Sequence, residues 1–364
     1  MMQSILRPTL RAARASIPSA RTYATAPAGG ASNLAPIFLG LGLAGAGGFY
    51  YSTLGSAKKT DLAKQASAVV EKVEAKVGLT GLTALTSDAF QNFKLESIEK
   101  YNHNTSTFAS FHSGENSRIM LIRGSRLQTF ALPEGTTSGM TIASAVVVKS
   151  ATEGQALNKN GKPAIKPYTP VSAPDVQGKL TFLIKHYPGG VMTEHIFGLK
   201  VGDELSIKGP IPKFPYKANE FETVAMIAGG SGITPMWQII QQIDADPTDK
   251  TKAVLVFGNV TEADILLRKE FEELAARKPE QFKIHFVLDK PPTNWTGPTG
   301  YIDQKVLAQA LPGPAYGDRI KLFICGPPGQ VESISGNKVS MKDQGPLKGV
   351  LADLGYKESQ VYKF

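Results

Sequence analysis

The stretch Thr223–Met236, reading TVAMIAGGSGITPM, constrains this chain more than any other. Val224 to Ala228 form an apolar run long enough for one buried strand. Gly229, Gly230, Ser231 and Gly232 follow at once. From Pro235 to Ile243 apolar residues recur at helical spacing, and proline suits a first helical turn. Strand, glycine turn and helix in that order make a site for nucleotide phosphate. Residues without a Cβ let backbone N–H groups come close to a pyrophosphate, and the helix N-terminus adds partial positive charge. A sharp strand-to-helix turn with no ligand is the other reading of this stretch alone, and its neighbours must decide.

From Thr223 onward, strand-like runs alternate with helix-like ones. The strand-like runs are Val224–Ala228, Ala253–Phe257, Lys283–Leu288 and Lys321–Cys325. The helix-like runs are Pro235–Ile243, Ile265–Ala276, Asp303–Ala310 and Leu347–Leu354. This alternation predicts an α/β domain over residues 221–364, with a parallel sheet covered on both faces. Ligands of such sheets bind at the carboxyl ends of the strands, where Gly229–Gly232, Gly258–Asn259, Asp289 and Gly326–Pro328 fall. Residues 88–220 read differently. Short β-rich runs such as Ile142–Lys149 and Leu180–Lys185 are separated by Gly, Pro, Asn and Asp clusters, which predicts an antiparallel β-barrel.

The amino-terminal region has its own composition. Residues 1–25 are rich in Arg, Ala and Ser and lack acids, as a mitochondrial presequence does. Leu34–Leu54 is apolar and uncharged; at 1.5 Å per residue it spans ~31 Å, enough for a transmembrane helix. A sorting signal removed from the mature protein is the alternative. Gly40, Gly42 and Gly45 spell a dinucleotide fingerprint inside this run, but no βαβ pattern surrounds them. Residues 55–87 read as a linker containing an amphipathic helix over Asp61–Val77. The net charge of +9 is concentrated here. Six of the 40 basic residues lie in residues 1–60 beside no acid, which leaves 34 against 31 and a balance of +3. Nucleic-acid binding has little support in that balance. One cysteine, Cys325, excludes an internal disulfide and a Cys-based zinc cluster. His103, His186 and His195 lack metal-ligand spacing, so no metal site is expected. The charge run Arg268, Lys269, Glu270, Glu272 and Glu273 reads as a solvated helix face.

Three further stretches join the glycine turn. Lys166-Pro167-Tyr168-Thr169 is expected to follow a barrel strand, and Lys185-His186-Tyr187 with Val191-Met192-Thr193 to follow the next. Cys325-Gly326-Pro327-Pro328 ends a strand of the α/β domain. With these the chain from Phe93 to Phe364 resembles the NADH-cytochrome b5 reductases of the ferredoxin-reductase-like flavoproteins, in their fungal mitochondrial form. The resemblance implies FAD and NADH as cofactors. Tyr168 and Thr169 would lie at the flavin ring, and Lys166 would meet the FAD pyrophosphate where the family has Arg. Lysine supplies a point charge without the bidentate fork of arginine, so weaker FAD retention is expected. Pro167, Leu183, Lys185, Tyr187, Val191, Met192 and Thr193 complete the FAD half, with Met192 and Thr193 in a turn that caps the phosphates. Gly229, Gly230, Ser231, Gly232 and Pro235 match the NADH loop. Thr234 would approach the flavin, and Cys325 would position nicotinamide; these two are assigned to the reacting centre, with Gly326, Pro327 and Pro328 beside them. Asp289 could accept from the adenosine ribose hydroxyl and repel a 2′-phosphate, which favours NADH over NADPH. Phe364 is expected to pack near the nicotinamide site.

The activity implied is transfer of hydride from NADH and of single electrons to cytochrome b5 or a similar haem protein, at the mitochondrial outer membrane or in the intermembrane space. A flavin reductase using NADPH or another one-electron acceptor is the near alternative. A membrane-anchored nucleotide-binding protein without turnover is the distant one. Residues 109–128 interrupt the strand pattern between Asn104 and Ala131 and carry no motif. They read as a non-native insertion, of the kind a retained intron leaves, placed as a poorly ordered loop. Sequencing the transcript tests this: a message encoding all of Ala109–Gln128, with normal stability of the product, would refute it.

Overall fold

A computed structural model describes residues 82–102 and 124–364. The presequence 1–25, the span Leu34–Leu54 and the helix expected over Asp61–Val77 lie outside the described residues. Among the described residues no helix is long and apolar enough to cross a membrane.

The first half is an antiparallel sheet of six strands: β1 (Gln91–Lys100), β2 (Ser125–Ala131), β3 (Ser144–Ser150), β4 (Lys166–Tyr168), β5 (Lys179–Lys185) and β6 (Glu204–Pro212). Their order is β4-β3-β6-β1-β2-β5. The edges β4 and β5 do not pair, but the Val171 N–H just after β4 donates to Thr181 O of β5 at 2.8 Å, which brings the sheet back on itself as a small barrel. Its inner face holds Phe93, Leu95, Phe130, Val146, Phe182 and Ile207, all buried in one core. Two expectations are corrected here. Lys166–Tyr168 is itself a strand, not the loop after one; its proline lacks a donor, which an edge position tolerates. The interruption is also shorter at its carboxyl end than 109–128. Ser125–Gln128 are paired on both sides, Arg126 with Lys100 and Ile184, Gln128 with Ile98 and Phe182. Arg126 also donates to Phe197 O at 3.2 Å. Residues 109–123 lie outside the described residues. A third correction concerns the linker: Ala84 and Leu85 belong to the barrel core, and the Ala84 N–H donates to Thr137 O at 2.8 Å, so the barrel starts before residue 88.

The second half is a parallel sheet ordered β11-β10-β7-β8-β9, from β7 (Thr223–Gly229), β8 (Lys252–Asn259), β9 (Phe282–Leu288), β10 (Ile320–Cys325) and β11 (Val361–Lys363). Every residue of β7 is buried, because its two faces serve two cores. Val224, Met226 and Ala228 pack with α2 (Ile233–Ala245) and α3 (Arg268–Arg277). Ala225 and Ile227 pack with α4 (Gln304–Ala310), α5 (Pro328–Ser335) and α6 (Gly349–Asp353). That is how alternating strand residues read as one apolar run. Ile239, Ile240 and Ile243 of α2 are fully buried, each stabilising by about 2 kcal/mol. The chain runs from β7 outward to β9 and then returns to β10 on the other side of β7. The strand order therefore reverses between β7 and β10, the place where such sheets open a ligand crevice. The two halves share a core: Ala143, Val171 and Leu183 of the barrel are buried with Ile233 and Met236 of α2.

The charge run lies on α3, with Arg268–Glu272 and Lys269–Glu273 pairs one turn apart. Glu270 departs from a solvated face, since it accepts from the part-buried Tyr101 hydroxyl at 3.1 Å.

Candidate functional site

A cleft of about 830 Å³ opens at the strand-order reversal, between the barrel and the parallel sheet. Its barrel wall contains Lys166, Pro167, Tyr168, Thr169, Leu183 and Lys185, continuing through Tyr187, Val191, Met192 and Thr193. Its other wall contains Gly229, Ser231, Gly232, Thr234 and Pro235, then Cys325, Gly326, Pro327 and Pro328. Phe364 also lines it. Residues distant in sequence thus share one cavity. Gly230 and Asp289 do not line it. Gly230 takes the left-handed conformation, φ 51°, that lets the chain turn from β7 toward α2. Asp289 is exposed just beyond β9, two strands away from the cleft.

The barrel wall is built around a helix start rather than the turn expected from sequence. Val191, Met192 and Thr193 form the first turn of α1 (Val191–Gly198), whose N–H groups have no partner within the helix. The Thr193 hydroxyl lies 2.9 Å from Tyr187 O and 3.1 Å from Gly190 O, which fixes the approach to this helix. A Cβ on Gly190 would meet that hydroxyl at 2.8 Å and Tyr187 O at 2.9 Å, so only glycine leaves the cradle in place. The Tyr168 ring packs edge-on against Phe182, centroids 6.4 Å apart, and burial raises its hydroxyl pKa. Across the cleft the Tyr187 and Ser231 hydroxyls are hydrogen-bonded at 2.7 Å.

The sheet wall depends on a close approach. A Cβ on Gly232 would collide with the Cys325 carbonyl and meet Gly326 N at 2.8 Å. The Thr234 hydroxyl donates to Ser231 O at 3.3 Å, holding the first turn of α2. Cys325 is only partly covered from solvent, yet the protein packed around its sulfur pushes the thiol up to about 12. It is protonated at neutral pH and is no nucleophile. We expect iodoacetamide to modify it far more slowly than a free thiol at pH 8, which mass spectrometry of timed samples reads directly. The folded state holds this proton where the unfolded state has lost it, so the stability it contributes is present below pH 9.0 and falls as pH rises toward about 12.

Among the described residues, four lysines, Lys166, Lys185, Lys213 and Lys338, line the cleft, and no Asp or Glu does. Burial lowers the pKa of Lys213 and of Lys338, and in Lys338 nearby Lys213 lowers it further. Lys185 reaches Asp264 at 3.7 Å. A surplus of cations beside helix N-terminal N–H groups suits a diphosphate. The residues present suit dinucleotide phosphates: close-approach glycines on both walls and positive charge between them. Lys213, Lys338, Ser340 and Met341 were not predicted from sequence. Lys213 lies just beyond β6 and Lys338 between α5 and α6, where no periodicity reports which way a side chain turns.

The sequence model of the oxidoreductase FAD-binding domain matches residues 116–216, and that of the oxidoreductase NAD-binding domain matches residues 226–335. Among curated proteins, the NADH-cytochrome b5 reductase 2 of Mycosarcoma maydis is 45% identical over 96% of this chain and 95% of its own length. That of Phaeosphaeria nodorum is 42% identical over 98% and 99%. Among solved structures, the cytochrome b5 reductase domain of Ulva prolifera nitrate reductase superposes with a TM-score of 0.62 at 25% identity, covering 78% of this chain and all of that domain.

Proposed function

This chain belongs to the NADH-cytochrome b5 reductase family, and we propose that it takes hydride from NADH and passes single electrons to cytochrome b5 or a similar haem protein. The observation that carries this reading is the shared cleft at the strand-order reversal, whose walls bring together most of the residues proposed for the two nucleotides. Bound FAD would supply the conversion between a two-electron hydride donor and two successive one-electron acceptors. The chain's own residues bind and orient. Tyr168 and Thr169 would hold the flavin ring, Lys166 and the first turn of α1 its pyrophosphate, and Leu183, Lys185 and Tyr187 its middle. Gly229–Gly232 and Pro235 would admit the NADH pyrophosphate. Thr234 and Cys325 would flank the reacting rings, Cys325 as a neutral thiol that packs rather than attacks. Hydride transfer needs this orientation more than it needs an acid or base. Asp289, exposed at the end of β9, would favour NADH by repelling a 2′-phosphate.

The test is anaerobic titration of the purified flavoprotein. NADH is expected to bleach the flavin at about one equivalent, and NADPH only at far higher concentration. Protein that carries no flavin, or flavin that NADH leaves yellow, would overturn the reading. Lys166→Arg is expected to slow FAD loss, since a guanidinium can bind phosphate through two parallel bonds; a gain of about 1 kcal/mol, or severalfold in affinity, is the scale. Flavin fluorescence after dilution measures it, and unchanged release would remove Lys166 from the pyrophosphate site.

Residues 1–25 and Leu34–Leu54 support a place in the mitochondrial outer membrane, with the intermembrane space as the alternative if the span is removed. Alkaline extraction of mitochondria separates the two: retention in the pellet supports the anchor.

A further inference from the structure

Gln238 lies on α2 one turn beyond Thr234 and is 5% exposed. It is a buried polar side chain bonded across the seam where the barrel meets the sheet, to the residues next to Ala143 and Val171 of the shared core. Both ends of its amide are used. Nε2 donates to Pro170 O at 3.0 Å, and Oε1 accepts from the Ser144 N–H at 3.2 Å. Pro170 follows Tyr168 and Thr169 directly. Ser144 begins β3, whose Val146 pairs with Tyr168. The residue before it, Ala143, is held in the left-handed conformation, φ 52°, and its carbonyl accepts from the N–H groups of Lys213 and Phe214. The barrel side of the link is therefore fixed at two points, and the other side is the helix that carries Thr234.

We infer that Gln238 is a positioning residue that sets the spacing between the Tyr168–Thr169 wall and the Thr234 wall of the cleft. This rests on the electron-transfer reading above and adds to it a residue that touches neither cofactor. A side chain of equal size without the amide fills the seam but leaves the Pro170 carbonyl and the Ser144 N–H unpaired in a dry place. The shared core and the Tyr187–Ser231 hydrogen bond still join the walls, but without a directional bond at this point the rings stacked between them shift in their approach. An error of about 1 Å in such an approach slows the reaction on the order of 100-fold.

The experiment compares Gln238→Leu and Gln238→Met with the parent flavoprotein. Flavin content, NAD+ affinity and melting temperature are measured first. The rate of flavin bleaching by NADH in a single anaerobic turnover follows, then the long-wavelength absorbance of reduced flavin in contact with NAD+. We expect flavin content and NAD+ affinity within about twofold of the parent, bleaching slower by roughly 10- to 100-fold, and weaker long-wavelength absorbance. Bleaching and absorbance equal to the parent's would overturn the inference, even with a lowered melting temperature, because Gln238 would then only stabilise the seam. Loss of fold or flavin in both variants would also overturn it, by making the residue part of the core. If NADH fails to bleach the parent, the electron-transfer reading falls and this inference with it; normal bleaching in parent and variants alike removes Gln238 alone.

Discussion

Gly232→Ala is expected to slow reduction of the bound flavin by NADH by roughly 100-fold while the flavin stays in place. The backbone of Gly232 is ordinary, with φ −65° and ψ −3°, so alanine brings no conformational strain. The cost is steric. Its Cβ would collide with the Cys325 carbonyl and approach Gly326 N at 2.8 Å, and these are backbone atoms at the end of β10. Neither rotates away. The start of α2 must lift from β10 by a distance on the order of 1 Å, which separates Thr234 from Cys325 and costs roughly 100-fold in rate. Overpacking of this kind costs about 1–3 kcal/mol of stability. If FAD is held by the barrel wall as proposed, flavin content holds while stopped-flow bleaching slows by roughly 100-fold. A variant that bleaches within about twofold of the parent would show that the close approach is not part of the site.

The opposite loss is expected from Gly190→Ala: flavin released, coenzyme loop intact. Gly190 sits at φ −78°, where alanine is at ease, so steric cost again decides. The added Cβ meets the Thr193 hydroxyl at 2.8 Å and Tyr187 O at 2.9 Å, two groups hydrogen-bonded to each other at 2.9 Å. Separating them turns the first N–H groups of α1 away from the cleft. A loss of about 1.4 kcal/mol, or tenfold in FAD affinity, is the least expected. Gly198→Ala is the control, since nothing lies within 4 Å of a Cβ there. FAD titration of the stripped proteins reads both. Equal affinity in Gly190→Ala and the parent would move the pyrophosphate away from α1.

Much of this molecule was legible before any coordinates. The four long strands of the second half were found to within a residue or two, because a parallel sheet covered on both faces writes itself as continuous apolar runs. Helix α2 was read as starting at Pro235 and begins at Ile233; the glycine turn hid its first residues. Of the short elements, α4 and α6 fall inside the runs Asp303–Ala310 and Leu347–Leu354, while α1, α5 and β11 have no counterpart among the sequence runs. Helix α1 and helix α5 carry little amphipathic pattern over eight residues each, and β11 is three residues long. The edge strand Lys166–Tyr168 was hidden by its proline. The interruption ends before Ser125 rather than at Gln128: within Ser125–Gln128 only Leu127 is apolar, and pairing with β1 and β5 is what makes the stretch a strand.

Local chemistry is what the residues carried on their own: an apolar strand, glycines that admit a phosphate, a tyrosine–threonine pair, and Lys166 and Lys185 beside them. These pointed to two nucleotide half-sites and, by their combination, specified the family. Tertiary structure decided which of those groups face one cavity, because that depends on where the strand order reverses and on how Gln238 and the shared core hold the barrel against the sheet. Periodicity reports burial one element at a time; distances between walls arise only when elements far apart in sequence are packed together.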